Sequence, residues 1–147
     1  MIEIIGNRHE ADAINAVIAS WASALGKKDA AGVVRHLSDD IVSFTLAPPL
    51  VYKGKGEEGL ESWFSTWEGP IGGDAVDVRL TVGDDVAFWT GLVRMTGRKT
   101  DGIDVDLWFR QTLGLRKEES VWTIVHEHTS VPFAMDGSGL AELKLKP

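Results

Sequence analysis

Cysteine is absent from the 147 residues. That excludes disulfides, thiolate catalysis and cysteine-ligated zinc, and it agrees with a reducing compartment. Positive charge is scarce: 15 Lys and Arg stand against 22 Asp and Glu, a net charge of −7, and no basic run is present. A nucleic-acid backbone needs a clustered basic surface, so nucleic acid is not an expected partner. Without a basic amphipathic helix, a membrane surface is not expected either. No apolar run approaches the roughly 18 residues of a spanning helix, and residues 1–9 are too short and too acidic for a signal peptide. These absences predict a cytoplasmic protein. Tyrosine occurs once but tryptophan six times, and since tryptophan is costly to expose, those six mark a core, a pocket wall or an interface.

The length fits one domain, 1–147, with no repeat and no linker. Residues 10–25 read as an amphipathic helix, with Ile14, Val17, Ile18, Trp21 and Leu25 on one stripe. Asn7 with Glu10 resembles a capping box, and Gly26 a helix end. Asp29 can cap a second helix through Leu37, and residues 38–40 then turn the chain into a strand, 41–46. A third helix carries Leu60, Trp63, Phe64 and Trp67 at helical spacing, and the run 69–73, rich in glycine and proline, breaks it. From Val76 the period becomes two, giving strands over 76–82, 86–96, 105–116 and 121–132. Helices followed by a meander of long strands give an α+β layer fold. Strands of this length tend to curl, so the expected shape is a cone-like roll of three helices on a strongly curved antiparallel sheet. It would enclose one ligand-sized pocket.

The alternation also predicts which side chains face inward. In the strand 105–116, Val105, Leu107, Phe109, Gln111, Leu113 and Leu115 form the apolar set. With residues 118–120 as the connection, Gln111 lies opposite Glu127 and Phe109 opposite Thr129. The inward row of the last strand is then Val121, Thr123, Val125, Glu127, Thr129 and Val131, in which Glu127 is the anomaly. In the strand 86–96, Val86, Phe88, Thr90, Leu92 and Arg94 share a face, so Arg94 ends an apolar row. Arg94 and Glu127 would form a buried charge pair or a polar ligand clamp.

The run containing Trp122, Val125, His126, His128, Ser130 and Pro132, preceded by residues 108–116, carries a family resemblance. It resembles the SnoaL-like branch of the nuclear transport factor 2-like superfamily, which includes ketosteroid isomerases. It is also similar to the association domain of calcium/calmodulin-dependent kinase, which closes on a comparable W-x-x-V-H-x-H-x-S run followed by proline. The resemblance implies the same cone-shaped α+β fold over nearly the whole chain. By position, the association domain's pocket arginine falls on Arg94 and its pocket tryptophan on Trp67. Two further pocket arginines fall on Leu113 and Thr129 and do not transfer. Where ketosteroid isomerases place their carboxylate base, residues 43–48 hold none, and their first-helix tyrosine corresponds to Trp21. Steroid-isomerase chemistry of that type is not implied.

The expected ligand is a small, partly apolar molecule bearing a carbonyl or carboxylate. The pocket would be walled by Trp63, Trp67, Phe88 and Phe109, with Arg94, Gln111, Glu127 and Thr129 as its polar groups. If turnover occurs, Glu127 is the candidate base and Arg94 the stabiliser of a developing oxyanion. The competing reading makes Glu127 a structural carboxylate bonded to Gln111 or Arg94, in an oligomerisation or scaffold domain whose pocket is incidental. His126 and His128 point the same way from a strand, but two ligands do not complete a metal site. Neither a metal nor an organic cofactor is expected. With Trp108, Arg110 and Trp122, the two histidines form an aromatic and cationic outer face suited to a homodimer interface.

Overall fold

The computed structural model describes residues 1–147. In chain order the elements are β1 (Glu3–Gly6), α1 (Arg8–Gly26), α2 (Ala30–Val34), β2 (Leu37–Phe44), β3 (Tyr52–Lys53) and α3 (Glu57–Phe64). The long strands β4 (Trp67–Val82), β5 (Val86–Lys99), β6 (Asp104–Glu118) and β7 (Val121–Ser130) follow. All seven strands join one sheet in the order β1-β4-β5-β6-β7-β2-β3. The sheet is mixed where an antiparallel one was expected: β1 pairs with β4 and β2 with β7 in parallel. A parallel join needs a crossover, and helices lie between β1 and β4 in the chain and between β2 and β7. The sheet is also open at β1 and β3 and not strongly curled, so the expected tight cone is a shallower layer.

Helix α1 starts where Asn7 accepts a bond from the His9 amide at 3.1 Å and buries Ile14 and Trp21 against the sheet. The expected capping box does not form. Glu10 instead accepts from Lys117 Nζ at 2.6 Å and from Trp122 Nε1 at 2.7 Å, tying the helix to the last hairpin. Asp29 caps α2 through the Gly32 amide at 3.0 Å. The helix stops short of Leu37 because the Ile124 amide takes the His36 carbonyl at 2.8 Å and draws the chain into β2. Helix α3 ends at Phe64, before Trp67. The Ser65 and Thr66 hydroxyls donate to the Ser62 and Trp63 carbonyls, each at 2.6 Å, and close its last turn. Trp67 therefore opens a strand, and the glycine- and proline-rich run expected to be a break lies inside β4, at a register irregularity between Glu68 and Gly72.

Two sequence expectations about strand faces are corrected. In β5, Ala87 and Trp89 are buried in the core while Phe88 is 47% exposed, so Phe88 and Arg94 lie on the outer face. In β7, Gly114 pairs with His126 but Leu115 with Ile124, leaving Val125 as an extra residue. A bulge of this kind switches which side chains face inward. Before it, Trp122 and Ile124 are the inward residues, both fully enclosed; after it, Glu127 and Thr129 are. Trp122 is thus a core residue and not part of an outer interface. The core joins Ile14, Trp21, Val33, Val34 and Phe64 from the helices to Leu80, Trp89, Leu113, Leu115 and Ile124 of the sheet.

Candidate functional site on the inner sheet face

Directly opposed residues of paired strands share a face, so the register lays out the inner surface row by row. Trp89, Leu113 and Glu127 form one row, and Gly91, Gln111 and Thr129 the next. Val93 with Phe109, Met95 with Leu107 and Gly97 with Val105 continue towards the sheet's end. Gln111 and Thr129 are buried, whereas Val93, Phe109, Met95 and Leu107 are only half-buried. The core therefore ends in a step of polar groups and opens onto an apolar strip. That combination of apolar wall and few fixed polar groups is what small-molecule sites present.

Glu127 stands at the step. Gln111 Nε2 donates to its Oε1 at 3.4 Å, a long bond. The residue as a whole is only half-buried, but its carboxyl is enclosed, and burial pushes the pKa up to about 7 while Gln111 draws it down. No cation offsets the burial. A carboxyl balanced near neutrality can both give and take a proton. Gln111 is opposite Thr129, and Glu127 opposite Leu113, two residues away from the expected pairing along β7.

Arg94 does not join Glu127. It is directly opposite Trp108 on the outer face and makes a two-pronged pair with Asp106, both contacts at 2.8 Å. Asp106 raises the guanidinium's pKa, and Arg94 holds the Asp106 carboxyl below its usual range. The expected Arg94–Glu127 clamp is therefore absent because the two side chains leave opposite faces. Phe88 falls out of the pocket wall for the same reason.

Trp67 and Trp63 sit at the far end of the strip. Trp67 is buried and Trp63 is 37% exposed, with ring centroids 5.6 Å apart and planes at 80°. A Cβ on Gly97 would lie 2.8 Å from Trp67 Cζ3, so the indole covers Gly97 on the inner face. Lys99 Nζ lies 4.2 Å from the Trp67 ring. Sequence reasoning ends the strand at residue 96 and so misses Lys99, the last residue of β5; the signal is its odd-numbered parity with Val93 and Met95. Two surface concavities, of about 180 Å³ between α1 and α2 and about 380 Å³ against residues 134–144, involve none of these side chains.

On the outer face, Phe44 packs edge-on against His126 and His128 at 5.0 and 5.3 Å. His126 Nδ1 bonds the Val42 carbonyl at 2.7 Å, and Arg110 Nε donates to Ser130 Oγ at 3.1 Å. No third acidic or histidine ligand stands with the two rings.

The family model described as SnoaL-like domain matches residues 14–134. The chain belongs to the SnoaL-like domain family. Its fold is that of a nuclear transport factor 2-like protein of unknown function from Pseudomonas putida KT2440, with a TM-score of 0.85, 28% identity, and 97% of this chain and 99% of that one covered. A ketosteroid isomerase-like protein from Erwinia carotovora atroseptica SCRI1043 shares the fold at TM-score 0.72 and 23% identity, over 84% and 97% of the two chains. So does a Xanthomonas campestris protein described as a calcium/calmodulin dependent protein kinase II association domain, at TM-score 0.70 and 21% identity over 90% of each. No curated protein matches the sequence. As a SnoaL-like domain the chain has no helix long and apolar enough to cross a membrane.

Proposed function

We propose that this SnoaL-like domain binds a small, partly apolar, carbonyl-bearing molecule on its inner sheet face and transfers a proton on it through Glu127. The observation that carries this reading is the Glu127 carboxyl, enclosed without a cation and pushed up to about 7. A purely structural glutamate gains most from a firm charged partner, and this one has a single 3.4 Å amide contact. The half-buried strip of Val93, Met95, Leu107 and Phe109 would hold the apolar body of the ligand. Gln111, and not Arg94 on the outer face, would donate to the ligand's oxygen as charge develops there. The reaction class is proton abstraction and return beside a carbonyl, of isomerase, cyclase or dehydratase type.

The experiment is a thermal-shift screen of cyclic and linear ketones, followed by exchange of α-protons for deuterium in any hit. Wild-type protein should catalyse exchange, and Glu127→Gln should bind the hit with exchange lost. Full exchange in the variant would exclude Glu127 as the base.

A second reading is favoured by the outer face. Phe44 and Phe88 are 38% and 47% exposed there, beside Trp108, Arg110, His126 and His128, with Trp122 removed from the set by its burial. This surface would pair two copies as a homodimer, in a scaffold whose inner strip is incidental. Light scattering of wild type and Phe88→Glu decides it: a dimer that becomes a monomer supports the interface, and a wild-type monomer removes it.

A further inference from the structure

The inner strip runs from the polar step at Gln111 and Glu127 to a cationic mouth. Along β5 it extends from Gly91 to Gly97, six steps or about 20 Å at ~3.3 Å per residue. At the mouth, Lys99 Nζ hangs over the Trp67 ring at 4.2 Å and bonds the Thr66 hydroxyl. Lys28 reaches the same residue from the end of the helix layer, donating to the Trp67 carbonyl at 3.0 Å. Both lysines are half-buried. Neither takes part in any of the protein's ion pairs, although carboxylates outnumber cations by 22 to 15. Half-burying an ammonium without a counter-charge is costly, and two beside one residue is more so.

A second observation concerns the same residue. Trp67 is 4% exposed, and its Nε1 is buried with no hydrogen-bond partner. Its Cε3–Cζ3 edge faces Gly97, so Nε1, on the opposite edge of the indole, points away from β5. A buried donor left unpaired costs free energy that an acceptor on a ligand would recover.

We propose that the mouth at Trp67 is an anionic head-group subsite, and that the ligand of the inner face is an amphipathic carboxylate. Its head accepts from Lys99, Lys28 and the Trp67 indole. Its apolar body lies along Met95, Leu107, Val93 and Phe109, and its far end meets Gln111 and Glu127. This rests on the inner face being a ligand site, and it narrows the ligand from any partly apolar carbonyl compound to an acid of extended shape. Trp63, set at 80° to Trp67, forms the outer wall of the mouth.

The test is calorimetric titration, below micellar concentrations, with dodecanoate, dodecyl phosphate and dodecanol as probes. Wild-type protein should bind dodecanoate about tenfold or more tightly than dodecanol, as expected for a charge-assisted contact out of bulk water. Lys99→Met keeps the side chain's apolar stem, so it should erase that preference while leaving dodecanol binding in place. Arg94→Met, on the outer face, should leave the preference intact. Equal binding of dodecanoate and dodecanol by wild type, or a preference that survives Lys99→Met, overturns the head-group assignment and leaves the inner-face site standing. Binding of dodecyl phosphate alone would overturn the carboxylate and keep an anion site. Binding of none of the three overturns the subsite and counts against the inner-face site as well.

Discussion

Gln111 Nε2 meets Glu127 Oε1 at 3.4 Å, and this amide is the only side chain that lowers the proton affinity of an otherwise burial-raised carboxyl. The pair spans β6 and β7 one row apart, at the edge between a closed core and an open strip. Proton balance at this carboxyl is the property on which both stability and the proposed chemistry turn.

Replacing Glu127 by Gln should stabilise the protein at high pH. The folded carboxyl titrates at about 7 against 4.5 as the ordinary value, so between those limits the folded state binds more protons than the unfolded one. Stability therefore falls as pH rises from 4.5 to 7, by up to about 3 kcal/mol, and stays low above that. The variant lacks this loss. Urea unfolding at pH 8 should favour it by that order, with the difference gone at pH 4; a constant difference across this range would show an ordinary carboxyl at Glu127.

Gln111→Leu should move the same titration upward. The amide contact lowers the Glu127 pKa, and removing it leaves burial unopposed. Carbon-detected NMR of the glutamate side chains should place the midpoint above that of wild type. A downward shift would mean that water enters and solvates the carboxyl.

How much of this was legible in the sequence differs strand by strand. In β6 one parity is apolar and the other polar, so Gln111 and Leu113 could be placed inward without a partner. In β5 both parities carry apolar side chains: Val86, Phe88 and Leu92 on one, Ala87, Trp89 and Val93 on the other. Alternation alone does not choose between two such rows, and the even-numbered one is not the inward row. The deciding contact is Trp89 opposite Leu113, which only the register supplies. In β7 the extra residue Val125 reverses the facing midway, a backbone event with no side-chain signature. Glu127 is visible as a carboxylate in an apolar row, but simple alternation points Trp122 outward, whereas it is buried under α1. The two-residue β3 and the four-residue β1 are held by their neighbours and show no period of their own. Lys28 and Lys99 became a pair only when the fold brought residues far apart in the chain to Trp67.

Glu10 should behave oppositely to Glu127. Its bonds from Lys117 and Trp122 hold its pKa below the ordinary 4.5. A lowered folded value stabilises above the unfolded pKa, and that stability is lost as pH falls through the folded one. Glu10→Gln should therefore lower the melting temperature at pH 7, with the deficit shrinking below pH 4.5. A deficit that persists undiminished in acid would assign the cost to packing around Trp122.

Gly97→Ala should destabilise by about 1–3 kcal/mol through overpacking. The added Cβ would stand 2.8 Å from Cζ3 and 2.9 Å from Cε3 of Trp67, a ring buried between β5 and the end of the helix layer that cannot retreat as a flexible chain would. Urea unfolding gives the magnitude, and tryptophan fluorescence reports whether the indole has moved. An unchanged midpoint with an unchanged spectrum would mean that Trp67 does not rest on Gly97.

Arg94→Met separates the two faces of the sheet. Were Arg94 beside Glu127, its removal would strip a cation from the carboxyl and push the Glu127 pKa up sharply. Because Arg94 is paired with Asp106 on the outer face, the Glu127 titration should stay at about 7. The loss of stability should be small, as is usual for a pair open to water. NMR titration of the variant reads the first quantity and urea unfolding the second. A shifted Glu127 midpoint would bring the guanidinium back to the inner face and, with it, the oxyanion role now given to Gln111.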